Sequence, residues 1–226
     1  CDETGRLSGF VFDGVFNTGA YASWGPTVAN RVPIHASGPY ATKDYRANSV
    51  AVHTNAPPAG AFRGFGVPQS AVAQECAFDL LAEKVGMDRL AFRRLNALKN
   101  GVPTVTGQVF NSGVGIDDCF AALENSWHAA VLSAASFNQT AISDNSPWRK
   151  GVGIASCWYG CGNTSLANPS TIKSGVKADG KVVLHQGAMD IGQGANTVIT
   201  QIFTTALGVS PDEISIVGPD TDVTPD

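Results

Sequence analysis

The chain has 226 residues, of which 43% are hydrophobic and 15% charged, a composition typical of folded globular domains rather than disordered segments. Its formal net charge is -4 at pH 7, and its lysines and arginines form no cluster of the kind that binds nucleic acid. Its apolar runs stay well below the roughly 20 residues that span a bilayer, so we expect neither nucleic acid nor a membrane as a partner.

The chain starts Cys1-Asp2-Glu3-Thr4, without an initiator methionine or a basic leader, so we expect it to lie inside a longer polypeptide. Its five cysteines have no regular spacing, which argues against a secreted disulfide framework and favours a reducing, cytoplasmic compartment. Cys76 and Cys119 stand among apolar residues of predicted helices and are expected to be buried free thiols. Cys157 and Cys161 lack a second Cys/His pair nearby, so no metal site is predicted.

The first part of the chain predicts a strand, a short helix and a second strand. Residues 7–19 are apolar on both faces, as in a sheet that is covered on both sides. A short helix carrying Arg31 is expected over residues 25–35, although Pro33 restricts its length. Residues 45–54 form the second predicted strand.

Three helices are predicted next. The clearest spans residues 68–85 and stops at Gly86. Asp88 is the expected N-cap of a second helix that ends at Asn100-Gly101. Its basic residues are interpreted as a solvated face: Arg89, Arg93, Arg94 and Lys99. A third helix is expected over residues 117–133, with three side chains facing inward: Phe120, Leu123 and Trp127.

The polar composition of residues 134–150 marks a candidate boundary between two domains, residues 1–140 and residues 148–226. Beyond it, the pattern predicts a strand over 151–158, a hairpin of strands 173–178 and 181–188 around Asp179-Gly180, a helix over 196–207 and a strand over 213–217. One side of that helix is expected to carry Ile199, Ile202, Phe203 and Leu207. The whole predicts a mixed α+β fold whose sheets are covered by helices.

Residues 60–69 (GAFRGFGVPQ) form a glycine-rich loop that opens a helix. The N–H groups of the first helical turn and the charged fork of Arg63 favour an anionic group. Phe65 offers a flat face to an aromatic substrate, whereas Phe62 is interpreted mainly as packing. The alternative is a glycine-rich turn with two core phenylalanines.

Residues 192–197 (GQGANT) repeat the sequence of strand, glycine-rich turn and helix. The third glycine of a dinucleotide-binding fingerprint is replaced by Thr197, and the Gly-Lys-Ser/Thr of a Walker loop does not occur. Gln193 is a hydrogen-bond donor for a cofactor or, alternatively, a polar turn residue. Two such loops suggest an anionic or hydrogen-bond-rich cofactor held between them.

Residues 61–69 (AFRGFGVPQ) and 185–194 (HQGAMDIGQG) are distinctive as pairs of motifs. Together with residues 13–21, Arg31 followed by residues 35–40, and residues 219–225, they agree in order and approximate spacing with the signatures of one family. The chain resembles the molybdenum hydroxylases, the family of xanthine dehydrogenase and aldehyde oxidase. The resemblance covers essentially the whole chain.

The resemblance implies a fragment of the molybdopterin-binding large subunit, spanning the end of one molybdenum-cofactor domain and the start of the next. In the family, the arginine matching Arg63 contacts the pterin and the metal centre, and the ring matching Phe65 stacks on a planar substrate. The arginine matching Arg31 stabilises negative charge developing on the substrate in purine-oxidising members. The implied catalytic residues are Arg31 and Phe65, and the implied cofactor-binding residues are Phe62, Arg63, Gly64, Gly192, Gln193 and Gly194.

The implied reaction is hydroxylation of a carbon atom with oxygen from water, with two electrons passing to molybdenum and then to iron–sulfur clusters. Those clusters, with or without FAD, would lie in other domains or subunits, and the remaining parts of the large subunit would be further partners. The family's general-base glutamate is not found, because no glutamate stands in a matching motif: Glu3, Glu75, Glu83, Glu124 and Glu213. The chain is therefore expected to be inactive by itself.

Three functions remain open at this point. The first is hydroxylation of a purine such as xanthine or hypoxanthine, favoured by Arg31, whose alternative role is that of a surface arginine. The second is oxidation of an aldehyde or a nicotinate-type heterocycle, because the second substrate-stacking aromatic falls near Gly162, where only Trp158 or Tyr159 offers a replacement. The third is a non-catalytic assembly domain that has lost the cofactor. The four histidines lack metal-ligand spacing and are interpreted as structural: His35, His53, His128 and His185.

Overall fold

The computed structural model describes residues 1–160 and 169–225 and divides into two compact units, Cys1–Tyr159 and Gly160–Asp226. Cys161 and Gly162, on which two expectations rested, lie outside the described residues. The elements in chain order are β1 Gly9–Gly19, α1 Gly25–His35, β2 Asp44–His53, α2 Val67–Lys84, α3 Arg89–Asn96, α4 Ile116–Ser143, β3 Lys173–Val176, β4 Val182–His185, α5 Ala195–Leu207 and β5 Ile214–Val217. This arrangement confirms the predicted mixed α/β class.

Strands β1 and β2 pair in parallel over their whole length, with a register shift between Asn17 and Gly19. Phe12 and Phe16, two residues of one face of β1, pack against α1. The other face is open, since Val11 and Val15 are 59% and 76% exposed. The prediction that both faces of this strand are covered was therefore wrong for the chain as it stands. The two valines were read as core residues because β-branched side chains are common on both kinds of face.

Helices α1 and α2 lie within a residue of their predicted bounds, and α3 begins as predicted. The Asp88 carboxylate caps α3 by accepting N–H bonds from Leu90 and Ala91 at 2.9 and 3.0 Å. The helix ends at Asn96, earlier than expected. Ala97 turns to extended backbone and forms a bridge with Tyr40, so tertiary pairing ends the helix before its sequence signal does.

The basic residues of α3 do not all form a solvated face. Arg93 is fully buried. Its Nε donates to Glu75 Oε2 at 2.6 Å and one terminal nitrogen lies 2.8 Å from Asp79. Arg94, by contrast, pairs at the surface with Asp117 and Glu124. The prediction was wrong for Arg93 because its carboxylate partners come from α2, and a pattern within α3 alone does not reveal them.

Helix α4 runs ten residues beyond its predicted end, through the polar stretch that was interpreted as a boundary. Its buried residues repeat every seventh position: Phe120, Trp127, Ala134 and Ala141. A seven-residue repeat gives a narrow apolar seam. Leu123 falls beside this seam and is 49% exposed, so its predicted inward orientation was wrong, whereas those of Phe120 and Trp127 are confirmed.

The strand predicted at residues 151–158 is absent from the described structure, where this segment has no regular secondary structure. The cysteines also differ from expectation. Cys76 and Cys119 are free but exposed, because each lies on the solvent side of its helix. Among the described residues, no helix is long and apolar enough to cross a membrane.

The second unit contains a three-stranded sheet in the order β3-β4-β5, with β3 antiparallel and β5 parallel to β4. The predicted hairpin is confirmed, and so are α5 and the last strand. Gly208 ends α5 in the left-handed conformation, with φ of 72°. Ile199 and Phe203 are half-buried, but Ile202 and Leu207 are 66% and 51% exposed, so the apolar side of α5 is only partly covered here.

Candidate cofactor and substrate site

The loop that carries Arg63 has an unusual backbone. Gly64, Phe65 and Gly66 have φ of 100°, 47° and 80°, and a positive φ is strained for a residue as bulky as phenylalanine. A Cβ on Gly66 would lie 2.6 Å from a methyl group of Val32. The loop is thus held in a strained conformation by close packing on α1, which is how binding loops keep a defined geometry.

This loop packs on helix α1. The buried helix residues Val28 and Val32, with Ala36 directly after the helix, pack against Ala61 and Phe65. The half-buried Phe65 ring also meets Trp24 edge-on, with the ring centroids 6.1 Å apart. Phe65 is therefore fixed at the surface of α1, which also carries Arg31.

Phe62 and Arg63 are exposed residues of the same loop. Phe62 is 59% exposed, so its interpretation as a packing residue was wrong for this chain. Helix α2 begins directly after Gly66, and within the described residues no side chain caps its N-terminus. An exposed guanidinium beside an uncapped helix N-terminus is a donor set that fits the anionic part of a cofactor.

Arg31 lies over an aromatic ring that comes from the end of the first unit. The guanidinium carbon of Arg31 is 4.9 Å from the centroid of the Tyr159 ring, within the range of a cation–π contact. Tyr159 in turn stacks on His35, with centroids 5.0 Å apart and ring planes 10° from parallel. Trp158 meets His35 edge-on at 5.9 Å and donates its indole N–H to the His35 carbonyl at 3.3 Å.

His35 is 4% exposed, and its Nδ1 lies 3.1 Å from the Arg31 carbonyl oxygen. Because a carbonyl oxygen only accepts, this nitrogen carries the proton. Burial lowers the pKa of His35 below its ordinary value, with a smaller lowering by the charge of Arg31. The ring beneath Tyr159 is therefore neutral near pH 7.

A buried polar network anchors the segment that carries Trp158 and Tyr159. The Ser156 hydroxyl lies 2.8 Å from the Tyr40 hydroxyl and 3.2 Å from Glu75 Oε1. Tyr40 also donates to Glu75, at 2.8 Å. Burial, reinforced by the Glu75 carboxylate, raises the pKa of Tyr40, so its hydroxyl keeps its proton. Since Glu75 is paired with Arg93, the irregular segment is tied to helices α2 and α3.

In the second unit, the glycine-rich loop is closed by a residue that sequence reasoning missed. The Asp190 carboxylate accepts the N–H groups of Gly192 at 2.8 Å, Gly194 at 3.4 Å and Asn196 at 3.1 Å. The loop therefore supplies its own anion at the start of α5. An aspartate two residues before a glycine is an Asx-turn signal, and this signal could have revealed it.

Gln193 turns back into the same loop. Its amide nitrogen donates to the Met189 carbonyl at 2.8 Å, and its amide oxygen accepts from the Ile191 N–H at 2.7 Å. The Gln193 amide nitrogen carries two N–H groups, so its bond to Met189 uses only one of its two donors. Its predicted role in cofactor binding stays a prediction, and so do those of Gly192 and Gly194.

The sequence matches known protein families over most of its length. Residues 1–97 and 122–226 match two family models, each described as a molybdopterin cofactor-binding domain. The chain belongs to the molybdenum hydroxylases. It is 32% identical over 231 residues to a putative xanthine dehydrogenase molybdenum-binding subunit of Escherichia coli, covering 99% of this chain and 29% of the relative. It is 45% identical over 114 residues to the nicotinate dehydrogenase large molybdopterin subunit of Eubacterium barkeri, covering 50% of this chain and 27% of the relative.

The fold agrees with that of a solved relative. The aldehyde oxidoreductase of Desulfovibrio desulfuricans superimposes with a TM-score of 0.78 at 25% identity, over 99% of this chain and 24% of the relative. The chain thus spans 24–29% of the length of these three relatives. The expected membership of this family is confirmed, and the molybdopterin-binding domains of a molybdenum hydroxylase are what this sequence encodes.

Proposed function

We propose that this chain forms part of an enzyme that hydroxylates a purine such as xanthine or hypoxanthine with oxygen derived from water. The observation that supports this substrate is the position of Arg31, whose guanidinium is held 4.9 Å over the Tyr159 ring on the helix that also seats Phe65. A fixed cation beside a planar binding face stabilises negative charge that develops on a heterocycle during attack at carbon.

The cofactor would be held by residues of both loops. Arg63, Phe62 and Gly64, with the first turn of α2, offer charge, an apolar face and backbone donors to its pterin and anionic parts. Gly192, Gln193 and Gly194 would contribute from the second unit. When bound, molybdopterin supplies the redox centre that accepts two electrons from the substrate.

Phe65 and Arg31 would then act on the substrate itself. The half-buried Phe65 ring provides a stacking surface that orients a planar heterocycle. Arg31 interacts more strongly with the charge-developed transition state than with the neutral substrate, so its effect appears in kcat. The general base, the iron–sulfur clusters and any flavin would come from other parts of the enzyme. We place the enzyme in the reducing cytoplasm because the described cysteines are free.

A nicotinate-type substrate is the second candidate. It is favoured by the 45% identity with the nicotinate dehydrogenase subunit over half of this chain. Nicotinate is also planar, and its carboxylate would itself pair with a guanidinium. The two candidates predict different turnover by the same cofactor, and an aldehyde is the third substrate to compare.

The test is a substrate panel with the purified enzyme that contains this chain. Molybdenum and extracted pterin are measured first, and then turnover of hypoxanthine, xanthine, nicotinate and benzaldehyde with a dye acceptor. We expect bound molybdenum and purine turnover that falls about 100- to 1,000-fold in Arg31→Met, with Arg149→Met as an exposed-arginine control. Molybdenum with only nicotinate or aldehyde turnover would overturn the purine assignment. Absence of both molybdenum and pterin would leave a non-catalytic assembly domain.

A further inference from the structure

We infer that Tyr159 is a positioning residue that aims Arg31 at the substrate, and that His35 holds Tyr159 in place. This inference rests on the proposed role of Arg31. It assigns a function to two residues for which the sequence indicated no such role, and it predicts which substrates depend on them.

The first step is the contact between Arg31 and Tyr159. An arginine side chain on a helix surface samples many rotamers unless something fixes it. Here the guanidinium carbon lies 4.9 Å from the ring centroid of Tyr159, so the ring face attracts it and limits its directions. The ring is the part of Tyr159 that performs this role, and the hydroxyl group is not required for it.

The second step is the support beneath the ring. Arg31 and His35 are four residues apart on α1, so their side chains are neighbours on one face of the helix. The imidazole is buried and nearly parallel to the Tyr159 ring, at 5.0 Å and 10°, and its Nδ1 proton is bonded to the helix carbonyl of Arg31. One turn of α1 therefore supplies both the cation and the imidazole that stacks on the Tyr159 ring.

The third step is the attachment of the segment to which Tyr159 belongs. This segment has no regular secondary structure, and two contacts close to Tyr159 hold it. Trp158 donates to the His35 carbonyl, and Ser156 joins the Tyr40 and Glu75 side chains. Tyr159 is thus 46% exposed at the surface while its backbone neighbours are fixed.

The consequence is a substrate-dependent role. A heterocycle that spreads negative charge over its ring needs a correctly aimed guanidinium, whereas an aldehyde develops its charge on the carbonyl oxygen, next to the carbon being hydroxylated. Loss of the Tyr159 ring should therefore lower kcat for heterocycles and leave kcat for benzaldehyde unchanged. A purely structural role would lower both equally.

The experiment uses the purified enzyme with its cofactor and compares Tyr159→Phe, Tyr159→Leu and His35→Leu. Trp148→Leu, an aromatic that is 73% exposed in another irregular stretch, is the matched control. Molybdenum and pterin contents are measured for every variant. We expect Tyr159→Phe to stay within about twofold of wild type and Tyr159→Leu to lose about 3- to 30-fold in kcat for the heterocycle. His35→Leu, which keeps Tyr159, should lose activity in the same direction.

The deciding measurement is the double-mutant cycle with Arg31→Met. In that background Tyr159→Leu should have no further effect on heterocycle turnover. Additive losses, or equal losses for heterocycle and benzaldehyde, would overturn the inference. If Tyr159→Leu does not take up cofactor, His35→Leu provides the same cycle.

A readout without turnover separates this inference from the proposed function. The hydrogen-exchange protection of α1 is compared across the same cycle, because contacting residues give non-additive effects. Coupling between Arg31 and Tyr159 in an enzyme that does not oxidise heterocycles would refute the proposed substrate and leave the contact standing. Absence of coupling would refute the positioning role whatever the substrate.

Discussion

Replacing Arg93 by methionine should strongly lower the stability of the first unit, although Arg93 lies on α3 and not in the cofactor loop. The substitution removes a fully buried guanidinium and leaves the Glu75 carboxylate, which it contacts at 2.6 Å, buried without its cation. Arg93 also donates to the carbonyl oxygens of Arg89 and Glu75, both at 3.1 Å. Removing one partner of such a buried pair costs about 3–5 kcal/mol.

This cost is a large share of the roughly 5–15 kcal/mol that stabilises a typical domain. Each 1.4 kcal/mol is a factor of ten in an opening equilibrium, so amides of α2 and α3 that exchange through this opening should exchange about two to four orders of magnitude faster. Hydrogen exchange followed by mass spectrometry measures this in the purified enzyme that contains the chain.

The neighbouring Arg94→Ala is the matched control. Arg94 makes two ion pairs at 2.9 Å, but its side chain is 32% exposed. Solvent screens such exposed pairs, so their loss should change amide exchange little. A second variant, Arg93→Met with Glu75→Gln, removes the buried carboxylate as well and should recover part of the lost protection. Equal effects of Arg93→Met and Arg94→Ala would refute the assignment of a buried ion pair.

Three further outcomes follow from the geometry. Gly66→Ala should lower the free energy of unfolding, measured by denaturation, by about 2–3 kcal/mol, because its Cβ would lie 2.6 Å from Val32. Gly86→Ala, with open space around it, should lower it by only about 1 kcal/mol. Equal losses would contradict the close packing of Gly66 on α1. Burial lowers the pKa of His35, so between that lowered pKa and the ordinary value the unfolded chain binds a proton that the native chain does not. The free energy of unfolding should therefore fall as the pH drops through this window, and His35→Gln should reduce this dependence on pH. An unchanged pH dependence in His35→Gln would contradict the prediction. Asp190→Ala should speed amide hydrogen exchange of Gly192, Gly194 and Asn196, whose N–H groups donate to its carboxylate, by about tenfold or more. An unchanged exchange rate would show that other groups protect these N–H groups.

Much of the fold followed from local sequence signals. The Asp88 cap and the Asp179-Gly180 turn each depend on neighbours within a few residues, and each was confirmed. Helix α2 was also confirmed, but three of the residues that predicted its apolar face are exposed: Val72, Cys76 and Leu80. The seam of α4 was missed because its repeat of seven includes alanines, whose inward orientation depends on what packs beside them.

The environment of the candidate site was harder to predict. Arg31 and Phe65 were singled out by resemblance, but the contact of Arg31 with Tyr159 joins residues far apart in sequence. The buried state of Arg93 depends in the same way on Glu75, which lies on another helix. The closure of the second loop by Asp190 was local and could have been predicted from its Asx-turn pattern. Long-range partners of charged and aromatic side chains are thus what sequence patterns leave undetermined.

The central claim is that this chain helps to hydroxylate a heterocycle with oxygen from water at a molybdenum cofactor. The most direct test is repeated turnover of hypoxanthine by the purified enzyme with a dye acceptor, in water enriched in oxygen-18 and without oxygen gas. We expect one labelled oxygen atom for each carbon hydroxylated, and loss of the reaction in Arg31→Met with molybdenum content unchanged. Product without the oxygen-18 label, or no heterocycle oxidation by an enzyme with full molybdenum content, would contradict the proposed reaction.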